Sequence, residues 1–546
     1  SLFFPFFYHA KYNLTLLYNK FFCYILFVMK RIVFIRGFVF TLLFSLVCLG
    51  ANCAQLGWSN DLRSLFAGNK SVIYALNIRS FGAEDTNGDD IIEPLDGDKK
   101  GTFLNAIPRL KELTKLGINT VYLLPVTKTG KLKALGTAGS LYALDSFDRL
   151  SPLLDDKDNP MSVEQEAKMF VDEAHKLGLR VIVDIPSCGS YDMSLEQPDL
   201  FIKDKNGNTV VPADWTDVRL FKVYDENGKL NRALVENYQK MIKMLQDIGV
   251  DGIRADVAAI KPYEFWKEVI DYARMIDPQF LFIAEACPTW TNPAKQWGDY
   301  ETVPRLLEAG FDGYYGDWAN FSDFTKSKDV VKRIKSDLKI SKEFNKQKST
   351  MASFATHDQQ SVIVRGGVPL WEMITWLNVT LPLNPYFLDG YVTGDSYIYR
   401  YENKKADRSS TDDDYYFVHR GKFDIFNFSR RPEGNYAELK EKFVKAMKFK
   451  YWAKSVLVDG KFVEFKTSNP SVFAYARKNA DDAVVVIGNL NKEHEVDANV
   501  YIRNLKDTSF ISPVKMGEAP IVKRGKMSVS LKPYEVQVYM LNKVNF

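Results

Sequence analysis

Residues 252–285 read GIRADVAAIKPYEFWKEVIDYARMIDPQFLFIAE. A short apolar run at 252–257 is followed by an amphipathic helical pattern at 262–275 and by a second apolar run at 281–286. This strand-helix-strand order is the βαβ unit of a parallel sheet, which repeats at roughly 30 residues. The stretch therefore predicts a parallel sheet with helices packed on its face.

The same alternation continues on both sides of this unit. Further helices are predicted at 106–116, 163–177 and 233–248. Eight alternations fit a closed (β/α)8 TIM barrel of the α/β class better than an open sheet. The predicted strands are 72–78, 120–124, 180–185, 252–257, 281–286, 311–316, 350–356 and 375–381.

Two segments depart from the rhythm of the barrel. Residues 187–230, after the third strand, are rich in Gly, Asn, Asp and Pro, and they are predicted to form a short insert, domain B. Toward the carboxyl terminus the pattern changes to alternating strands such as 472–476 and 483–487. This change predicts a C-terminal all-β sandwich over 456–546 and leaves 55–455 to the catalytic barrel with its insert.

The amino terminus has the order of residues expected of a targeting signal. Met29 begins a basic stretch, which is followed by an apolar run at 38–51. This order predicts a signal peptide over 29–54, with 1–28 dispensable. The competing interpretation is an uncleaved anchor, but basic residues interrupt the roughly 20 apolar residues that a membrane helix needs. We expect a secreted, periplasmic or cell-surface protein, and Cys53 is a candidate for lipid modification that would tether it to a membrane.

Composition argues against several classes of protein. A net charge of +4 from 72 basic and 68 acidic residues provides no concentrated basic field, so we expect no nucleic-acid partner. Outside the leader only Cys188 and Cys287 remain, which gives neither a disulfide framework nor a zinc spacing. We expect both to be buried thiols near the site, and we expect no organic cofactor.

Polar side chains end four of the otherwise apolar strands. They are Asp184 after the third strand, Arg254 and Asp256 on the fourth, Glu285 after the fifth, and His357 with Asp358 after the seventh. Because the chemistry of a βα barrel lies at the carboxyl ends of its strands, these side chains should meet in one pocket. Each motif alone is more often structural, for example as an ion pair, and only the ordered set indicates a site.

Paired carboxylates suit the cleavage of a glycosidic bond. The oxocarbenium-like transition state needs one ionised carboxylate beneath the sugar and one protonated carboxyl above the leaving oxygen. Arg254 shares a strand face with Asp256 and should hold its carboxyl ionised. The apolar neighbours of Glu285 should keep that carboxyl protonated.

These segments resemble the signature regions of the α-amylase family, glycoside hydrolase family 13. The resemblance implies that Asp256 is the nucleophile, that Glu285 is the acid/base, and that Asp358 binds and distorts the sugar. It implies substrate-binding roles for several further residues, including stacking of Tyr142 on the sugar at the cleavage point; they are Arg254, His357, Tyr142, Asp184 and Arg365. The expected substrate is an α-glucan or a malto-oligosaccharide.

One departure from the family pattern leaves the reaction open. The family places an asparagine and a histidine after its third strand, where this chain has Ser187 and Cys188. Some glucan maltosyltransferases also lack the pair, and residues 261–266, KPYEFW, resemble their equivalent stretch. Hydrolysis, maltosyl or glucosyl transfer, and a catalytically silent amylase-like binding or partner protein are all alternatives, although the three retained acidic residues argue against silence.

A second constellation lies near the start of the barrel, in residues 85–93, DTNGDDIIE. Oxygen donors at alternate positions suit a hard cation such as calcium. The segment resembles the calcium loop of the oligo-1,6-glucosidase branch, which implies a structural calcium, whereas a solvated acidic turn is the alternative. The implied ligands are Asp85, Asn87, Asp89, Ile91 and Glu93.

Overall fold

The computed structural model describes residues 58–88, 92, 97–134, 140–212, 216–289, 301–397, 431–503, 505, 510–515 and 520–542. The elements named below belong to one compact unit, Asn60–Phe546. The predicted signal peptide, Cys53 and segment 1–28, which is predicted to be dispensable, lie outside the described residues. The signal, tether and location therefore stay predictions.

Eight parallel strands form a nearly closed barrel, and their order in space follows the chain. The first strand pairs with the eighth, with Ile73 opposite Tyr386. Asn384 completes the ring, because its N–H donates to the Thr350 carbonyl at 3.0 Å and its carbonyl accepts the Ala352 N–H at 2.9 Å. The predicted TIM barrel is confirmed. Its strands are Ile73–Leu76, Thr120–Leu123, Arg180–Ile185, Gly252–Ala255, Leu281–Ala284, Gly313–Tyr315, Ser349–Met351 and Tyr386–Leu388.

Helices alternate with these strands and cover the barrel. The first two long helices begin with capping boxes at Thr102 and Ser162, which satisfy the free N–H groups of a helix start. The long helices are Phe103–Lys115, Val163–Lys176, Arg232–Asp247, Tyr263–Ile276, Val303–Ala309, Ser327–Glu343, Val362–Thr380 and Ala437–Trp452. Shorter helices are Leu62–Ala67, Ile78–Phe81, Tyr191–Glu196 and Lys454–Leu457. Among the helices of the described ranges, none has the length and apolar character needed to cross a membrane.

The predicted eighth strand was wrong in position. Residues 375–380 end the helix Val362–Thr380, and the strand follows at Tyr386–Leu388. From Leu370 to Thr380 every residue except Glu372 is buried, so the segment has no polar stripe to reveal a helical period. Its β-branched residues imitate a strand, but the Thr375 hydroxyl donates to the Trp371 carbonyl at 2.8 Å, as helical threonines do.

The insert after the third strand contains a small sheet and the short helix Tyr191–Glu196. Its strands Cys188–Ser190 and Val218–Leu220 pair antiparallel, and the first of them also pairs with Ala143–Leu144. The sheet thus joins the predicted segment 187–230 to the loop after the second barrel strand. This connection brings Tyr142 beside the carboxyl ends of the barrel strands.

Two antiparallel sheets form the C-terminal part, which confirms the predicted sandwich. Side chains such as Val485 and Ile487 face the second sheet, whereas Val484 and Val486 join the core of the barrel. Burial on both faces explains why this strand is a continuous apolar run. One sheet has Lys461–Glu464, Val472–Lys478, Asp482–Asn489, Val536–Asn542 and Phe510–Pro513, and the other has Lys466–Thr467, Val496–Tyr501, Lys526–Leu531 and Ile521–Lys523.

Candidate active site

The predicted side chains lie together because side chains alternate between the two faces of each strand. Ile182 and Ile283 belong to the apolar cluster that fills the barrel interior. Because side chains alternate along a strand, Asp184 and Glu285, two residues further on, lie on the same inner face. Both are in contact with Arg254, which the neighbouring strand contributes. The site is therefore the polar continuation of the interior of the barrel.

Arg254 is the hub of the site, and its side chain is only 1% exposed. One terminal nitrogen, Nη1, donates to both oxygens of Asp184 at 2.8 Å and to Asp256 Oδ1 at 3.1 Å. The other, Nη2, lies 3.0 Å from Glu285 Oε2. The Nε group donates to the Tyr315 hydroxyl at 3.1 Å. One planar cation thus holds three carboxyl groups in fixed directions.

The shared guanidinium limits the distance between the two proposed catalytic carboxyls. Asp256 Oδ1 and Glu285 Oε2 are separated by no more than two hydrogen bonds and the width of one guanidinium, roughly 8 Å. Glycosidases work with carboxyl separations of about 5 to 9.5 Å, the shorter ones in retaining enzymes. The two carboxyls are therefore close enough to act on one glycosidic bond.

Asp256 follows the fourth strand and is held from two sides. Its Oδ2 accepts the Ser187 N–H at 3.3 Å, and the Ser187 hydroxyl donates to its backbone carbonyl. Burial raises the pKa of Asp256 to about 6, while the positive charge of Arg254 opposes the rise. At pH 7 this carboxyl is still ionised, as a nucleophile must be.

Glu285 sits in a different electrostatic environment. Burial raises its pKa to about 8, Arg254 opposes the rise, and the negative charges of Asp256 and Asp358 add to it. Its Oε2 accepts the Val257 N–H at 2.7 Å. Val257 has φ 34°, in the left-handed region that β-branched residues rarely adopt, so the turn after Asp256 is strained and directs this N–H at the carboxyl. The two carboxyls thus have separated pKa values, which is the arrangement that assigns an acid and a base.

A tyrosine and a histidine form one wall of the site. The Tyr142 hydroxyl donates to Asp184 Oδ2 at 2.7 Å and lies 2.6 Å from His357 Nε2. The two rings are stacked, with centroids 5.7 Å apart and 8° between their planes. Tyr142 therefore stands in the pocket, where its ring can also meet a sugar.

Asp358 completes the group of acidic residues. Its Oδ2 lies 3.7 Å from His357 Nε2, and its side chain is 37% exposed, against 15% for Asp256 and 12% for Glu285. Its negative charge raises the pKa of both Asp256 and Glu285. The most exposed of the three acids is thus placed to contact a ligand that enters from solvent.

Comparisons with known proteins agree with this fold and these motifs. The chain is 28% identical over 264 residues to an alpha-1,4-glucan:maltose-1-phosphate maltosyltransferase of Mycolicibacterium smegmatis, a match that covers 44% of this chain and 33% of the relative. A second relative of the same description, from Corynebacterium glutamicum, is 25% identical over 256 residues, 44% of this chain and 34% of the relative. The resemblance to the α-amylase family thus extends to distant sequence similarity with known enzymes.

Solved structures of known enzymes share this fold over most of the chain. A maltogenic α-amylase from Thermotoga neapolitana superposes with a TM-score of 0.63 at 19% identity, covering 87% of this chain and 99% of the other. A trehalose-6-phosphate hydrolase from Bacillus licheniformis gives 0.59 at 16% identity, covering 87% and 100%. These similarities show the fold alone. No family model matches the chain, and the chain spans about a third of the length of the curated relatives it matches.

The position where the chain departs from the α-amylase family pattern is built into the site. Ser187 replaces the usual asparagine, and its backbone and hydroxyl both bind Asp256. Cys188 is buried, and burial raises the pKa of its thiol to about 12, so it is a neutral packing residue. Cys287 is partly buried, and both cysteines are free thiols.

Arg365 binds two backbone carbonyls in neighbouring loops. Its Nη1 donates to the Ala319 carbonyl at 2.8 Å and its Nη2 to the Phe354 carbonyl at 2.6 Å. These bonds tie the loops after the sixth and seventh strands together. A substrate-binding role for Arg365 stays a prediction.

The implied calcium loop is described only in part. Asp85 Oδ1 accepts the Gly88 N–H at 2.7 Å, which closes a turn, and Asn87 is exposed. The other implied ligands, Asp89, Ile91 and Glu93, lie outside the described residues. Within the described ranges, no cluster of three His, Cys, Asp or Glu residues could hold a metal ion. The oxygen donors of Asp85 and Asn87 suit calcium, and the site stays a prediction.

Three groups that complete the site were not predicted from the sequence. The Tyr122 hydroxyl donates to Asp184 at 2.7 Å, and the Tyr315 hydroxyl accepts from Arg254 at 3.1 Å. The Ser187 N–H donates to Asp256. Tyr122 could have been found, because it lies on the inner face of its strand, where a hydroxyl needs a polar partner. The contact of the Ser187 N–H could not have been found, because every residue except proline has a backbone N–H.

Proposed function

We propose that this chain is a retaining enzyme that breaks α-glucosidic bonds in α-glucans or malto-oligosaccharides. Asp256 is the nucleophile and Glu285 the acid/base. The observation that carries the proposal is the pair of carboxyls held by one guanidinium, of which Glu285 has the higher pKa. The resemblance to the α-amylase family supports the same assignment.

In the first step, a carboxylate oxygen of Asp256 attacks the anomeric carbon from the face of the ring opposite the leaving oxygen. The bond from that carbon to the leaving oxygen breaks as Glu285 transfers its proton to that oxygen. The product is a glycosyl ester on Asp256, and the shortened sugar leaves. Arg254 keeps Asp256 ionised before the attack, and Asp358 is placed to bind the hydroxyls of the sugar.

In the second step, Glu285 has become a carboxylate and acts as the base. It removes a proton from water or from a sugar hydroxyl, whose oxygen attacks the anomeric carbon and releases Asp256. Two displacements at one carbon retain its configuration. Water makes the enzyme a hydrolase, and a sugar hydroxyl makes it a transglycosylase.

Glycosyl transfer is the second candidate, because the relatives reported above are described as alpha-1,4-glucan:maltose-1-phosphate maltosyltransferases. Maltose 1-phosphate would then be a donor and a malto-oligosaccharide the acceptor. Phosphate would leave from the anomeric carbon in the first step. Both candidates use the same two carboxyls, so the acceptor and the donor distinguish them.

The test is to incubate the purified chain with maltoheptaose alone, and with maltose 1-phosphate plus maltohexaose, and to separate the products by chromatography. Shorter sugars alone indicate hydrolysis. Longer sugars indicate transfer, and release of inorganic phosphate identifies the phosphorylated donor. No change with either donor would refute the enzyme proposal and favour a silent binding or partner protein.

We also propose that the enzyme acts outside the cytoplasm and binds a structural calcium ion through the 85–93 loop. The signal-like segment 29–54 supports the location, and Asp85 with Asn87 supports the ion. Removal of calcium by a chelator should lower the midpoint of thermal unfolding, and added calcium should restore it. Fractionation of the producing cells, with the mass of the mature chain, tests export, cleavage and a lipid on Cys53.

A further inference from the structure

Lys261 is a buried cation near Asp256, and the proposed mechanism does not use it. It is 1% exposed, and its ammonium lies 5.1 to 6.0 Å from the centres of four aromatic rings. Those rings stabilise a cation by their electron-rich faces. They are Phe221, Tyr238, Phe265 and Trp266.

The ammonium is not there to form a stabilising ion pair. Among the described residues, its one hydrogen-bond partner is the Ser187 carbonyl, at 2.9 Å. Burial lowers its pKa to about 8, which shows that the environment disfavours the charge. An apolar side chain of similar length would fill the aromatic cage without that penalty. The charge and its single hydrogen bond therefore need another explanation.

The hydrogen bond leads directly to the nucleophile. Ser187 accepts from Lys261 through its carbonyl, and it donates to Asp256 through both its N–H and its hydroxyl. The preceding carbonyl, that of Pro186, accepts the Tyr238 hydroxyl at 2.8 Å. The loop after the third strand is thus fixed at two successive carbonyls where it contacts Asp256.

Among the described groups that interact with the Lys261 ammonium, Asp256 is the one that carries a negative charge. The thiol of Cys188 and the hydroxyl of Tyr238 are both neutral, because burial raises the pKa of each. The negative charge of Asp256 opposes the fall in the pKa of Lys261. The cation therefore favours the ionised form of the nucleophile as well as the loop that binds it.

We propose that Lys261 is a positioning residue, whose ammonium locks Ser187 so that this residue holds Asp256 in the orientation for attack. This inference rests on the proposed function. Lys261 does not reach the substrate, so its loss should slow the chemical step and leave substrate binding nearly unchanged.

The test compares Lys261→Met with a matched buried lysine. Lys450 is also buried, burial lowers its pKa to about 7, and its ammonium donates to the Val379 carbonyl at 3.3 Å, yet it has no link to Asp256. For Lys261→Met we expect kcat to fall about 10- to 100-fold, as displaced catalytic groups do, with KM within about threefold. For Lys450→Met we expect kcat within about twofold of wild type.

Three further measurements separate positioning from a structural role. Covalent labelling of Asp256 by a fluorinated glucosyl fluoride should slow in Lys261→Met by the same factor as kcat. Its thermal midpoint should stay level or rise, because a buried charge has been removed. Lys261→Arg, which keeps the charge and the donor, should recover part of the lost kcat.

Several outcomes would overturn the inference. They are a kcat of Lys261→Met equal to that of Lys450→Met, a loss confined to KM, or a fall in kcat that merely follows loss of folded protein. If Lys261→Met does not fold, Ser187→Ala tests the next step of the inference, because it removes the hydroxyl that donates to the Asp256 carbonyl. It should lower kcat without raising KM, and an unchanged kcat would contradict the holding of Asp256 by Ser187. Wild-type protein that turns over no donor refutes the proposed function, whereas an active wild type with an equally active Lys261→Met refutes only the positioning role.

Discussion

Replacing Glu285 by glutamine tests the assignment of the acid most directly. At pH 7, a carboxyl with a pKa of about 8 is protonated in roughly nine molecules of ten. At the ordinary pKa of 4.5, only roughly three in a thousand would be protonated. The environment of Glu285 thus raises the protonated fraction about 300-fold, equivalent to roughly 3 kcal/mol. That advantage should be lost in Glu285→Gln, whose amide cannot transfer a proton.

The expected result depends on the leaving group. On maltoheptaose, whose leaving oxygen needs a proton, Glu285→Gln should reduce kcat/KM by about 100- to 10,000-fold. On α-maltosyl fluoride, fluoride release in the first turnover should fall by less than about tenfold, because the fluoride leaves without receiving a proton. Rapid-quench measurement of fluoride and chromatography of the sugars give the two rates. Azide, which attacks without a base, should then form the α-glycosyl azide.

A second buried acid provides the control. Burial raises the pKa of Asp337 to about 7, and its carboxylate accepts from Tyr314 and Trp318 at 2.9 and 3.1 Å. Asp337→Asn should leave the ratio of the two rates at its wild-type value. An equal loss on both substrates in Glu285→Gln, or a wild-type rate on maltoheptaose, would refute the role of Glu285 as the acid.

Asp256→Asn should remove nearly all turnover of maltoheptaose while circular dichroism shows an intact fold, and wild-type rates would overturn the assignment of the nucleophile. The pH profile of kcat/KM should be bell-shaped: activity falls as pH drops through about 6, where Asp256 gains a proton, and as pH rises through about 8, where Glu285 loses one. Asp358→Asn should move both limbs to lower pH, because a negative charge that raises both pKa values is gone; unmoved limbs in a pH titration would contradict this. Asp312→Ala should lower the free energy of unfolding by about 3 to 5 kcal/mol, because it leaves two arginines without their buried partner. Arg63 and Arg274 lie 2.8 and 2.6 Å from the Asp312 carboxylate. Denaturant unfolding measures the loss, and a change under about 1 kcal/mol would contradict this prediction.

The sequence predicted which side chains meet at the site more accurately than it predicted the position of the eighth strand. Asp184, Arg254 and Glu285 could be placed together because each ends an apolar run and strands of a barrel end at one face. The eighth strand could not be placed, because the end of the helix at 373–380 is buried throughout and has the same apolar and β-branched composition as a strand. Composition does not separate the two when neither has a solvent face.

What the sequence alone determined is local: which runs form strands and helices, and which polar residues end them. Periodicity is a property of the chain itself, so it can be read without coordinates. The tertiary structure decided that Arg254 binds three carboxyls at once and that Ser187 and Lys261 support Asp256. It also decided that Glu285 has a higher pKa than Asp256, because desolvation and neighbouring charge depend on distances between segments far apart in the chain.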